Sequence, residues 1–268
     1  MAKPKLFFGE GWSRTGSGFF ARTPRLLSLD FDGTLAEIAP TPQAAWMSEA
    51  FRDTLKALSL LPQTKLVLLS GRSVPDLKRK VRLPGLVYVG NHGLNFSPPA
   101  AGWGTRSLKE WSHKTREAHK RLQPLVGLWP GSLLEAKGPD LSLHYRRLKL
   151  KQVRRLIPQA LRAIEDLPLA PRRGKGVLEL KPKGAPGKGR ALDRLASRFF
   201  PDPQAGVCVH VGDDATDEEA FRALRRMSRP ALGLKVGPGL TRAHYRLKDL
   251  EEVHGFLSLF LCNQPDFS

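Results

Sequence analysis

Apolar positions along the chain fall into two kinds of run. Short, nearly unbroken ones lie at Leu26 to Leu29, at 65–69 (KLVLL), Leu86 to Val89, Val207 to Val211 and Leu232 to Val236, and they fit strands buried on both faces. Between them apolar residues recur at helical spacing, as with Ala50, Phe51, Thr54, Leu55 and Leu58 inside Met47 to Leu61. Further helices are expected at Asp76 to Val81, Arg190 to Phe200 and Leu250 to Leu261. Strands alternating with helices predict an α/β fold with a Rossmann-like parallel sheet. From about Ser97 the pattern changes. Pro98, Pro99, Gly102 and Gly104 mark a boundary, a helix follows over Leu108 to Leu125, and period-two patches appear at Ser132 to Lys137, Leu141 to Arg147 and Val177 to Lys181. A basic helix, Lys151 to Leu167, separates the last two. The expected organisation is a core of 25–101 and 184–268, an inserted α+β cap at 102–183, and a loose basic leader at 1–24 whose Phe7, Phe8, Phe19 and Phe20 are available for docking.

The chemistry gathers where strands end. The first apolar run stops at Asp30 and Asp32, followed by Gly33 and Thr34. A calcium loop would need Gly and Glu at its sixth and twelfth positions, where Leu35 and Thr41 stand. The second run ends in Ser70, Gly71 and Arg72, and the third in Gly90, Asn91, His92 and Gly93. The run at Val207 ends in Gly212, after which Asp213, Asp214, Asp217, Glu218 and Glu219 crowd together in a basic protein. Thr216 with Glu219 fits a helix cap, but capping does not need three aspartates this close, and a divalent cation can use them. Lys188 follows the glycine-rich 183–187 and opens a helix; Gly189 and Pro182 rule out the nucleotide phosphate loop. Polar groups outside the carboxyl ends of parallel strands are where ligands bind in open α/β sheets, so these residues predict one active site.

Composition narrows the setting. Across 268 residues, 41% hydrophobic and 26% charged, the chain reads as an ordinary globular protein with roughly two domains. Cys208 and Cys262 are its only cysteines, which argues for a reducing compartment. No secretory signal or membrane span is legible, so the cytoplasm and no membrane partner are expected. The net charge of +19 invites a polyanion, but the basic groups are dispersed and no nucleic-acid motif occurs. Nucleic acid is therefore not expected, and a polyanion-binding protein on an inactive enzyme fold is the remote alternative.

The four motifs, Asp30 to Leu35, Ser70, Lys188 and Gly212 to Asp217, resemble those of the haloacid dehalogenase-like phosphatases. The resemblance narrows to the trehalose-phosphatase family on SGR (Ser70 to Arg72), GNHGL (Gly90 to Leu94), the stretch Glu135 to Arg146, and Glu179 to Gly189. It implies Asp30 as nucleophile, Asp32 as general acid and base, and Ser70 and Lys188 as phosphate ligands. It further implies Mg²⁺ held by Asp30, Asp32 (through its carbonyl), Asp213, Asp214 and Asp217. Cap residues Glu135, Lys137, Arg146 and Glu179 would contact the sugar, with Arg72, Asn91 and His92 on the core side. The expected reaction is hydrolysis of trehalose 6-phosphate, a small sugar phosphate, with no obligate protein partner. Another sugar-phosphate phosphatase, of sucrose-phosphate or mannosyl-phosphoglycerate type, is the alternative. Lid closure would hinge near Gly102 to Thr105 and Lys183 to Gly187. Asn95 stands where many relatives carry Glu, and Gly187 is an extra residue before Lys188.

Overall fold

The computed structural model describes residues 4–39, 41, 43–98, 105–137, 139–174, 176–200, 202 and 204–263, without the side chains at 10–12, 105–110 and 137. The chain divides into two compact units, Met1–Pro98 with Pro186–Ser268, and Pro99–Ala185. The expected domain junction at 101–102 and the hinge residues 102–104 lie outside the described residues.

In chain order, short helices α1 (Trp12–Thr15) and α2 (Ser17–Ala21) lead into β1 (Arg25–Leu29), α3 (Glu49–Leu60), β2 (Thr64–Leu69), α4 (Val74–Val81), β3 (Val87–Gly90) and β4 (Asn95–Ser97). The second unit contributes α5 (Thr105–Gly127), β5 (Leu133–Lys137), β6 (Asp140–His144), α6 (Leu150–Ala163), β7 (Leu169–Gly174) and β8 (Val177–Pro182). The first unit then resumes with α7 (Lys188–Phe199), β9 (Val207–Gly212), α8 (Asp217–Leu224), β10 (Ala231–Val236), β11 (Tyr245–Leu247) and α9 (Leu250–Cys262).

The first unit is built on one sheet, ordered β11-β10-β9-β1-β2-β3-β4. All its pairings are parallel except β3 with β4. Every residue of β1 and β9 is buried, as expected for central strands covered on both faces. Helix starts follow side-chain chemistry: Ser48 accepts from Phe51 N–H, Ser73 from Asp76 N–H, and Asp249 from Glu252 N–H. Leu29 lies opposite Leu68 on one side and Val211 on the other, so β1, β2 and β9 end together. That register brings three of the predicted polar clusters to one edge.

Residues 4–24 are not a loose leader. Phe7 and Phe20 are fully buried, each meeting the rings of α9 edge to face, Phe7 with Phe256 at 5.1 Å and Phe20 with Phe260 at 4.8 Å. The Lys5 carbonyl also accepts from Arg246 N–H beside β11. Aromatic burial of this size outweighs the glycines that made the segment read as coil.

The second unit is a four-stranded antiparallel sheet, β5-β6-β8-β7. Leu141, Leu143, Leu178 and Leu180 turn one face into a core shared with Ala118 and Leu122 of α5 and Leu156, Ile157 and Ala160 of α6. The other set of alternating residues carries Glu135, Ser142, His144 and Glu179, with Leu133 and Val177 at its end. The period-two patch Leu141 to Arg147 predicts a strand that includes Arg146, but β6 stops at His144 and Arg146 occupies the turn beyond it.

Candidate active site

Asp30 stands one residue past the end of β1, and its backbone N–H is held by the Val211 carbonyl at 2.9 Å. It is 4% exposed. Its Oδ1 accepts from Phe31 N–H at 2.7 Å, and its Oδ2 lies 2.9 Å from Lys188 Nζ. Lys188 is the first residue of α7, fully buried, and it also reaches Asp217 Oδ1 at 2.7 Å. An ammonium between two buried carboxylates is stabilised as the cation, and its pKa is raised although burial opposes it. Asp217 is the hub of the arrangement. Its Oδ1 also receives His210 Nε2 at 2.8 Å, and its Oδ2 receives Asp214 N–H at 3.0 Å. His210 in turn meets Ser28 Oγ through Nδ1 at 3.0 Å.

Five acids in and beside the loop after β9 were read as cation chemistry with a Thr216 cap. The capping is done differently. Asp214 Oδ1 accepts from Thr216 N–H at 2.7 Å, from Asp217 N–H at 3.1 Å and from the Thr216 hydroxyl, while Thr216 caps nothing with its side chain. An aspartate turn two residues upstream closes the loop better because Thr216 already has helical backbone angles. Despite the opposing effect of burial, Lys188 and these hydrogen bonds hold Asp214 well below the usual carboxylate range.

The cluster fits a divalent cation. Asp30, Asp214 and Asp217 each offer an oxygen within 4.8 Å of the others. Asp213 lies so close to Gly33 that a Cβ there would sit 2.3 Å from Asp213 Oδ2, and Asp213 Oδ1 is buried with no hydrogen-bond partner. A buried carboxylate oxygen without a donor is costly unless a cation takes that place. Burial, with Asp30 and its neighbours adding repulsion, pushes Asp213 up to about 7. Asp30 and Asp217 are raised to about 7 by burial too, against the pull of Lys188. Burial, and then the Lys188 charge, press His210 down to about 3, so its imidazole is neutral.

Around this centre the remaining core residues are knitted by backbone bonds. Ser70, 2% exposed, follows β2; its carbonyl accepts from His92 N–H, and the Arg72 carbonyl accepts from Asn91 N–H, both at 2.9 Å. Asn91 and His92 are left-handed, at φ 51° and 55°, which folds the His92 ring over Gly71; a Cβ at Gly71 would lie 2.5 Å from it. The Arg72 guanidinium, expected on the core side of the substrate, forks both oxygens of Asp32, at 2.6 and 2.7 Å, and reaches Asp76 at 2.6 Å. Asp32 is the open end of the site, its side chain 41% exposed. Each of its oxygens accepts one bond from Arg72 and keeps a second lone pair for another donor.

In the second unit, strand register aligns Glu135 with Ser142, Ser142 with Glu179, and Glu179 with Arg172. This is one polar row across four strands. Glu135 also meets His144 Nε2 at 3.0 Å. Arg172 escaped the sequence reading because β7 (LAPRRG) has no alternating pattern; Lys137 pairs in register with Asp140, and its side chain lies outside the description. The row therefore holds Glu135 and Glu179 but not Arg146.

With this geometry in view, the comparisons are specific. The family model described as Trehalose-phosphatase matches residues 28–249. The chain is 33% identical over 239 residues to "Probable trehalose-phosphate phosphatase 4" of Oryza sativa subsp. japonica, covering 87% of this chain and 64% of that relative, so it spans less than two thirds of the relative's length. It resembles the structure of Aspergillus fumigatus trehalose-6-phosphate phosphatase with a TM-score of 0.72 at 28% identity, covering 97% of this chain and 98% of the other. The C-terminal domain of C. albicans trehalose-6-phosphate phosphatase, at 22% identity and a TM-score of 0.74, covers 97% and 98% of the two chains and shares the fold. The parallel core is of haloacid dehalogenase type, and the chain belongs to the trehalose-phosphatase family.

Proposed function

We propose that the protein hydrolyses trehalose 6-phosphate to trehalose and phosphate, the last step in making trehalose from sugar precursors. The observation that carries the reading is the Asp30–Lys188–Asp217 constellation beside a partnerless buried oxygen of Asp213, within a chain of this family. A phosphate monoester repels a carboxylate nucleophile, so attack needs positive charge placed in advance. Lys188 supplies one such charge 2.9 Å from Asp30 Oδ2. Asp30, Asp213 and the Asp32 carbonyl would hold Mg²⁺, with Asp214 and Asp217 supporting them; when bound, the ion neutralises phosphoryl charge as a Lewis acid.

Asp30 then attacks phosphorus, the sugar alkoxide leaves, and an aspartyl-phosphate forms on Asp30. Asp32 gives its proton to the leaving oxygen and regains one from the attacking water, which frees phosphate and returns Asp30 and Asp32 to their starting states. Ser70 binds a phosphoryl oxygen with Lys188. Arg72 orients Asp32, and Asn91 and His92 line the core side of the substrate. Glu135 and Glu179, joined by Lys137 and Arg146, are the sugar contacts, since carboxylates accept from hydroxyls. The cytoplasm suits the reading, because Cys208 and Cys262 are free thiols. Among the described residues no helix is long and apolar enough to cross a membrane.

Phosphate release from trehalose 6-phosphate, sucrose 6-phosphate and glucose 6-phosphate, with Mg²⁺ or with chelator, tests the proposal. A strong preference for the trehalose ester, lost on chelation, is expected. A preference for the sucrose ester would retain the core chemistry and overturn the substrate. No hydrolysis of any ester would overturn both.

A further inference from the structure

Two polar side chains stand inside strands that are otherwise sealed. Ser28 is the only polar residue of β1 after Arg25, and His210 interrupts the apolar VCVHV of β9; both are fully buried. They are register partners across the β1–β9 ladder. Burying a hydroxyl and an imidazole costs free energy that only hydrogen bonds offset, and an apolar pair would fill these positions more cheaply. Their bonds lead one way. Ser28 Oγ meets His210 Nδ1 at 3.0 Å, His210 Nε2 meets Asp217 Oδ1 at 2.8 Å, Asp217 Oδ1 meets Lys188 at 2.7 Å, and Lys188 meets Asp30 Oδ2 at 2.9 Å.

We infer that Ser28 and His210 form a positioning pair that sets the Asp217–Lys188 ion pair for chemistry at Asp30; the inference rests on the phosphatase reading above. The geometry assigns the tautomer. A carboxylate oxygen can only accept, so Nε2 carries the proton and donates to Asp217, and Nδ1 accepts from the Ser28 hydroxyl. Ser28 thereby fixes which nitrogen faces the acid. Asp217 Oδ1 is gripped by two donors from different elements, β9 and α7, while its Oδ2 takes Asp214 N–H. Its orientation is set before any ligand arrives, and with it the placing of the Lys188 charge. Removing His210 leaves Lys188 and the Asp214 amide to hold Asp217, so both its rotamer and that of Lys188 loosen. Neither residue touches substrate in this account; they act through Asp217. A pair serving stability alone would have no reason to terminate on the nucleophile's cation.

The test uses Ser28→Ala, His210→Phe, His210→Gln and the Ser28→Ala/His210→Phe double variant of the full chain. Two readouts are taken: steady-state kinetics on an ester the wild type hydrolyses, and Mg²⁺ binding by calorimetry on the folded, unturning protein. His210→Phe is expected to lower kcat and weaken Mg²⁺ binding by roughly 10–100-fold, the range for residues that orient metal-site ligands, with KM little changed. His210→Gln, whose amide can still donate to Asp217, should recover part of both. Ser28→Ala should lose less than His210→Phe and add nothing in its presence, because it acts only through the imidazole. If His210→Phe fails to fold, Ser28→Ala and His210→Gln carry the same comparison. Folded variants with wild-type kcat and Mg²⁺ affinity and only a lowered Tm would overturn the inference. Because calorimetry needs no substrate, a wrong ester would not be mistaken for a wrong positioning pair.

Discussion

The strand-edge cluster of the first unit and the polar row of the second solve opposite problems. In the Asp30–Lys188–Asp217 chain the charged groups are buried and paired: Lys188 is fully enclosed between two carboxylates, and Asp217 accepts from three donors. Along Glu135, Ser142, Glu179 and Arg172 the groups are half-exposed or exposed. A buried, prearranged charge works at full strength in a medium that screens little, which suits stabilising charge that develops during a reaction. A solvated carboxylate exchanges water for a sugar hydroxyl at little cost, which suits recognition. The excess of lysine and arginine also lies mostly in residues 99–185, so the acidic cluster belongs to the less basic unit. The difference suggests that damage to the first unit should remove catalysis, whereas damage to the row should change what is bound.

The largest effect is expected at Asp30. Asp30→Asn should lower kcat by ~10⁴-fold or more, as loss of a nucleophile does, with little change in Tm; phosphate release under saturating ester measures it. Retention of a tenth of the activity would remove Asp30 from the mechanism. Next comes Lys188→Met, for which kcat should fall by roughly 10²–10³-fold, comparable to deleting one preorganised donor. This variant also leaves Asp30 and Asp217 without their cation, so a lower Tm should accompany it.

The smallest expected effect is thermal. Burial raises Asp213 from 3.8 to about 7, so between those values the folded chain holds a proton that the unfolded chain has released. The contribution of this group to stability therefore falls as pH rises from about 4 to about 7 and is flat above. A divalent cation relieves the repulsion only where the carboxylates are ionised. Mg²⁺ should accordingly raise Tm more at pH 8 than at pH 5, by ~2–4 °C for each ~1 kcal/mol of binding, in calorimetric scans. Equal shifts at both pH values would contradict the cation site.

Much of the core was legible because its signals are local. Apolar runs ending in Asp30, Ser70 and Gly212 announce parallel strands with chemistry at their ends, and the structure places these at one sheet edge. What escaped depends on partners distant in sequence. Phe7 and Phe20 read as leader because their burial comes from Phe256 and Phe260 in α9. Edge strand β7 shows no alternation, since only Leu169 of its six residues is buried, and Arg172 went with it. The short strands β4 and β11, three residues each, carry too few positions for any period. Ser28 and His210 were passed over as interruptions of apolar runs, although a polar residue in a fully buried strand is itself a signal that a partner waits across the ladder. The Arg72–Asp32 pair was not legible either, because nothing in the spacing of SGR shows that Asp32 is within its reach.

The division of labour between the two regions is tested most directly by one ratio. It is kcat/KM for trehalose 6-phosphate over kcat/KM for p-nitrophenyl phosphate, an ester without a sugar, in wild type and in Glu135→Gln/Glu179→Gln. Losing charged hydrogen bonds to the sugar, each worth roughly 1.5–3 kcal/mol, should lower the ratio by at least about tenfold while hydrolysis of p-nitrophenyl phosphate stays within about twofold. Equal loss on both esters, or no loss on either, would contradict the assignment of sugar recognition to the second unit.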